Sequence, residues 1–164
     1  MSTRLEVPPA SDRELVLAAL LAAPAWAVWR CWTEPALITQ WFTPPPWRTV
    51  RAELDVRPGG KSLVVMCSPE GEEHPSPGVY LEVEPGRRLV STDAFTEAWA
   101  PSDKAFMVLT LTMDDEGGAT RYVARVGHWS VEDRVAHEEM GFHEGWGIAT
   151  DQLEALAQRL AAEA

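Results

Sequence analysis

Two His-Glu steps, His137-Glu138 and His143-Glu144, fall within the eleven residues HEEMGFHEGWG near the C-terminus. Imidazole beside carboxylate is the raw material of a metal site or of acid/base catalysis. A zinc site needs several converging ligands, and the helical zincin pattern sets its two histidines one turn apart. Here the spacing is six, which on a helix turns the two rings about 120° away from each other. The stretch predicts no metal site. Glu139 and His143, four apart, are the pair an exposed helix face would bring together.

His128 ends a strand-like run just before this region, and imidazole is the side chain suited to proton transfer near neutral pH. It is the first candidate for proton transfer, with Tyr122 on the same predicted strand face as the second. The competing reading of His128 is a hydrogen-bonded anchor at a strand-to-helix corner. A general base must also lie within reach of a substrate proton, which spacing alone does not supply. No GxSxG-type nucleophile elbow and no Cys-His pair of known context accompanies either residue. The stretch DVRPGG, Asp55 to Gly60, has a glycine pair, but it lies between two strand-like runs and no Lys-Ser/Thr follows in register. Gly59 and Gly60 are expected as turn residues with positive φ.

The elements that must position these groups belong to one domain. A chain of 164 residues buries roughly 70% of the surface that it exposes when unfolded, so one real core is expected. The formal net charge of −11 repels phosphate backbones and anionic membranes, which argues against nucleic acid and membrane partners. Cys31 and Cys67 are too few for a disulfide framework and fit a reducing cytoplasm as buried thiols. Leu15 to Trp29, LVLAALLAAPAWAVW, imitates a targeting segment. It lacks a positive n-region and is broken by Pro24. It reads as core, and the protein as cytoplasmic.

Residues 1–11 are expected as a polar N-terminal arm and residues 12–164 as the domain. Glu14 to Ala22 reads as a strand that runs into a helix started by Pro24 and ending at Thr33. Glu34-Pro35 restarts a second short helix, Pro35 to Trp41, which the prolines at 44, 45 and 46 must stop. Six strand-like runs follow: Trp47–Val56, Lys61–Cys67, Gly78–Val83, Arg88–Phe95, Lys104–Met113 and Thr120–His128. The breaks between them are short, including Pro69 to Pro77 and Asp114 to Gly118, and imply an antiparallel meander. On the last strand Tyr122, Ala124, Val126 and His128 share the uncharged face, which should look inward. On its neighbour either Phe106 and Val108 or Met107, Leu109, Leu111 and Met113 do. The apolar character of both faces hints at a partner subunit, a homodimer. Beyond Ser130, an N-cap candidate with Asp133 as its reciprocal partner, Phe142, Trp146, Ala149, Leu153, Leu156 and Leu160 form one stripe. The expectation is one continuous helix of roughly thirty residues, ~45 Å long.

This order of elements resembles the helix-grip fold of the START and Bet v 1-like superfamily. Within it the chain is similar to the bacterial members of the activator of Hsp90 ATPase homologue 1-like family. The stretches that carry the resemblance are Ala23-Pro24, Val28-Trp29, Trp32 to Pro35, Trp41 to Pro44, Asp55 to Gly60, Gly78 to Val83, Arg88 to Thr92 and Gly141 to Trp146, in the right order from about Asp12 to Leu160. The resemblance implies an α+β domain, a curved antiparallel sheet wrapped around a long C-terminal helix, with an internal cavity for hydrophobic small molecules. The co-chaperone role in the family's name belongs to a longer protein with a further N-terminal domain, for which this length leaves no room.

Eight tryptophans are a heavy load of large apolar surface, and small-molecule pockets are lined mainly by such side chains. The expected lining is Trp41, Phe42, Phe106, Tyr122, His128, Met140, Phe142 and Trp146. The first reading is a binder of a hydrophobic or aromatic small molecule without a cofactor. The alternatives are a polyketide cyclase or aromatase-type enzyme that uses His128 or Tyr122, and a co-chaperone-like protein-interaction module. Glycines at 141, 145 and 147 each cost a helix interior about 1 kcal/mol relative to Ala. Three in seven positions suggest that the helix is thinned or bent where something approaches it closely.

Overall fold

In the computed structural model, which describes residues Met1–Ala164, the Ala/Leu-rich run after the N-terminal segment is a strand because it has partners on both sides. β1 (Thr3–Leu5) pairs with β2 (Glu14–Leu21), and two short helices follow, α1 (Ala25–Thr33) and α2 (Pro35–Ile38). β3 (Arg48–Leu54), β4 (Lys61–Cys67), β5 (Glu73–Glu84) and β6 (Arg88–Thr92) form a meander. A small hairpin, β7 (Phe95–Glu97) and β8 (Ala100–Pro101), is inserted before β9 (Met107–Glu116) and β10 (Ala119–His128). The chain ends in α3 (Val131–Glu139) and α4 (Phe142–Glu163). The main sheet has eight antiparallel strands in the order β1-β2-β10-β9-β6-β5-β4-β3. This is an α+β helix-grip architecture, with α4 packed against the sheet.

Alternation along the strands decides which face carries the core. Leu15, Leu17, Ala19 and Leu21 on β2, Tyr122, Ala124 and Val126 on β10, and Leu109, Leu111 and Met113 on β9 form one buried cluster with α1 and α4. The second of the two options for β9 is thus the inward one. Arg121 and Arg125 lie on the other side of β10, and Arg125 Nη1 meets Glu14 Oε1 at 2.7 Å. From α4 the predicted stripe is present: Phe142, Leu153 and Leu156 are buried and Trp146 and Leu160 pack against the cluster. Burying each such side chain contributes about 1.5–3 kcal/mol.

Several expectations are corrected. Residues expected as a free arm enter the sheet as β1, and Ser2 N and Oγ donate to Asp151 Oδ1 on α4 at 2.9 and 2.7 Å. Pro69 to Pro77 is not a break throughout, since β5 starts at Glu73. Its first half pairs with β4 alone, β6 joining only from Val79, and a strand with one open side tolerates Pro75 and Pro77. α2 ends at Ile38, short of Trp41, and β9 starts at Met107, after Phe106. Gly59 has φ of +80°, but Gly60 does not share the positive φ. Gly60 is needed because a Cβ there would stand 1.9 Å from the Asp55 carbonyl oxygen.

The largest correction concerns the C-terminal helix, which is two helices. Ser130 caps α3 as expected, its Oγ accepting from Asp133 N at 3.1 Å. Met140 closes α3, and Gly141 follows at φ +93°, in the left-handed region where helices commonly stop. The chain restarts as α4 at Phe142. Of the three glycines, Gly147 receives the close approach: a Cβ there would stand 2.9 Å from Arg4 Nη2, which donates to the Gly147 carbonyl at 2.9 Å.

Candidate functional site

A cavity of about 530 Å³ opens between α4 and residues of β4, β5, β6 and β9. One wall is made by the first helical region. Trp32, Trp41 and Phe42 meet edge to face, with ring centroids 4.9 to 5.9 Å apart. Their polar edges are already used: Trp41 Nε1 donates to the Cys31 carbonyl at 2.9 Å and Trp32 Nε1 to the Tyr122 hydroxyl at 3.2 Å. Gln152 on α4 ties this wall down by donating to the carbonyls of Trp41 and Thr43 at 2.8 and 2.9 Å. These residues therefore offer the cavity ring surface and little else.

The sheet contributes a mixed floor. Alternation on β4 and β5 turns Ser62, Val64 and Met66, with Ser76, Gly78 and Tyr80, toward the same space. Asp93, after β6, accepts from the backbone N–H of Phe106 and of Met107 at 2.8 and 3.1 Å, which fixes Phe106 at the rim. Burial pushes the phenols of Tyr80 and Tyr122 above their ordinary values, so both stay protonated. Burial likewise pushes the Cys31 thiol up to about 12, which leaves it unreactive.

The break at Gly141 supplies the third wall. Phe142 and Trp146 stack at 5.0 Å with 29° between their planes, and His137 on α3 faces them, its ring 5.2 Å from Phe142 and 6.4 Å from Trp146. Phe106 closes the same corner at 5.1 Å from His137. His137 Nδ1 lies 2.9 Å from Nε2 of His128, whose own Nδ1 lies 2.9 Å from the Arg13 carbonyl oxygen. Burial, reinforced by His128, lowers the His137 pKa to about 4, so this ring is neutral at physiological pH.

A sequence profile described as Activator of Hsp90 ATPase homolog 1-like protein matches residues 22–158, most of the chain. The chain belongs to that family. Among solved structures, the whole fold is matched by protein NE0264 from Nitrosomonas europaea, at 39% identity and a TM-score of 0.89 over 93% of this chain and 98% of that one. Protein Ms6760 from Mycobacterium smegmatis is 25% identical, with a TM-score of 0.77 over 93% and 96%. The AHSA1-like protein from Aeromonas hydrophila, at 17% identity and a TM-score of 0.70 over 90% and 93%, shares the fold. No curated protein matches the chain.

In this Activator of Hsp90 ATPase homolog 1-like chain, Trp41, Phe42, Phe106, Tyr122, Met140, Phe142 and Trp146 all border the cavity. His128 does not: it is 4% exposed and stands behind His137. The expected divergence of His137 and His143 rested on a single helix. On two helices His137 turns inward, while His143 Nε2 meets Glu138, and not Glu139, at 3.0 Å. Sequence reasoning missed His137, Trp32, Tyr80 and the sheet serines. Gly141 as a helix stop and the period of two on β4 and β5 are the signals that point to them. No helix is long and apolar enough to cross a membrane.

Proposed function

We propose that this chain binds a hydrophobic, ring-bearing small molecule between the sheet and α4. The observation that carries the reading is the cavity of about 530 Å³ with aromatic walls in which the indole N–H groups of Trp32 and Trp41 are satisfied within the protein. Such walls gain little from water and much from an apolar guest, which is how small-molecule sites are usually built. A protein-interaction module has no need of such a void. Native mass spectrometry of the purified protein tests the reading, with Ala149→Trp as control, because Ala149 lines the cavity and is 9% exposed. A ligand mass present in the parent and absent in the variant is expected. A protein that carries no ligand and takes up no added 2-naphthol or 2-methoxynaphthalene contradicts it.

A cyclase-type reaction in the same cavity is the second reading, favoured by one observation. A neutral imidazole, His137, reaches the cavity wall with a second imidazole behind it. His128 and Tyr122, the proton-transfer candidates from sequence, are both more deeply buried than His137. On this reading His137 is the group that would meet a substrate proton.

A further inference from the structure

We infer that the cavity is built to receive a hydrogen-bond donor, a phenolic or enolic hydroxyl on an uncharged aromatic molecule, at Nε2 of His137, and that His128 is the positioning residue that keeps this nitrogen bare. The inference rests on the reading that a small molecule enters the cavity, and it adds what part of that molecule is recognised.

The protonation pattern follows from the partners. A carbonyl oxygen only accepts, and the Arg13 carbonyl takes both the backbone N–H and Nδ1 of His128, each at 2.9 Å. His128 therefore carries its proton on Nδ1. In the neutral ring Nε2 is then an acceptor, and the atom 2.9 Å away, Nδ1 of His137, must donate to it. That places the one proton of neutral His137 on Nδ1 and leaves Nε2 with a free lone pair. Ser102 Oγ is the side-chain polar atom that is both occluded and unpartnered, so His137 Nε2 is not sealed off. The open space against its ring is the cavity.

The surroundings narrow the guest further. Phe106, Phe142 and Trp146 flank His137 and offer flat apolar surface, with the indole N–H of Trp146 as the one polar group among the three rings. On α3 and α4, Glu138 is engaged twice: Arg134 Nη1 meets its carboxylate at 2.8 Å and His143 Nε2 meets it at 3.0 Å. Among the 29 lining residues there is no Lys or Arg, and Asp93 is the one carboxylate. A fatty acid or other anion has no countercharge there. A neutral planar molecule with a hydroxyl satisfies both the rings and the lone pair, and its methyl ether leaves a buried acceptor unpaired.

Two measurements test this on the intact chain. Nitrogen-15 histidine spectra of the unliganded protein are expected to show His137 protonated on Nδ1 and bare on Nε2; the opposite tautomer overturns the inference. Fluorescence titration then compares 2-naphthol with 2-methoxynaphthalene, and naphthol is expected to bind about tenfold more tightly. His137→Phe is expected to abolish the preference while still binding both. His128→Phe should weaken it, and His128→Gln should keep it, since one amide can donate to the Arg13 carbonyl and accept from His137. Equal binding of the two probes by the parent protein overturns the inference and leaves the cavity reading intact. Binding of neither overturns the cavity reading and the inference together.

Discussion

His137 Nδ1 on α3 and His128 Nε2 on β10 lie 2.9 Å apart, at the point where the strand leaves the sheet and the chain turns back over it. The contact gives α3, which has no buried residue of its own, a polar attachment to the sheet. It also turns the inner histidine into a support and the outer one into the residue that meets the cavity.

That contact predicts a pH dependence of stability. Burial, with His128 beside it, lowers the His137 pKa to about 4, against about 6.5 in an unfolded chain. Below its unfolded value the unfolded state binds more protons, so the contribution is complete above pH 6.5 and is lost as pH falls through 4. With solvent screening at this partly exposed ring, the loss is roughly 1–2 kcal/mol by pH 4.5. Urea unfolding of the parent and of His137→Phe, at pH 7 and pH 4.5, should show the smaller change in the variant. An equal change in both would place the loss in other groups.

Asp151 sets a second, more acidic window. Burial alone raises its pKa, but the hydrogen bonds from Arg4 and Ser2 prevail and hold it at about 2. The carboxylate's contribution is therefore present above its unfolded value near 4 and fades as pH falls toward 2. With solvent screening at this partly exposed site it amounts to about 1 kcal/mol. Asp151→Asn is expected to be less stable than the parent at pH 7 by that amount. The gap should narrow below pH 4, as chemical denaturation at several pH values can check.

Two glycines in the same stretch should respond to alanine in opposite directions. A Cβ at Gly141 or at Gly145 meets nothing within 4 Å, so the backbone decides. Gly141 has φ of +93°, where an alanine costs about 1–2 kcal/mol. Gly145 lies inside α4, where the same change stabilises by about 1 kcal/mol. Thermal melts of Gly141→Ala and Gly145→Ala should move down and up respectively. A shared direction would show that φ at Gly141 is not what ends α3.

Leu153 tests the core apart from the cavity, because it is fully buried and does not line that space. Leu153→Ala is expected to cost about 2–5 kcal/mol. Binding of the naphthalene probes should change little at temperatures where the variant stays folded, as titration beside a denaturation curve would reveal.

Much of the fold was legible because periodicity is local. The six strand-like runs from Trp47 to His128 became β3, β4, β5, β6, β9 and β10, and the stripe from Phe142 to Leu160 became the inner face of α4. β1 was not legible, since three residues become a strand only through pairing with β2 and through Ser2 and Arg4 reaching Asp151 across the chain. The prolines of β5 looked like a break because nothing local says that this half of the strand has an open side. The site was legible in its aromatic residues and not in its imidazoles. The three glycines announced a disturbed helix, but which of them ended it decided where His137 points.

The broken helix has one more consequence. α3 joins a wall of the cavity to the rest of the protein through His137, through Arg134 donating to the Asp12 carbonyl, and through little apolar surface. Elements with few buried apolar contacts open far more readily than the core to which they are attached. On the proposed reading, the rings that would hold a guest sit on α1, on the loop after α2 and on α4, while α3 is a separate short helix beside them with no buried residue of its own. On that reading α3 bears on a guest in two ways, through His137 on its inner side and through its ease of opening. Substitutions along its outer side are then expected to change exchange rates while the equilibrium constant stays where the aromatic walls and His137 set it.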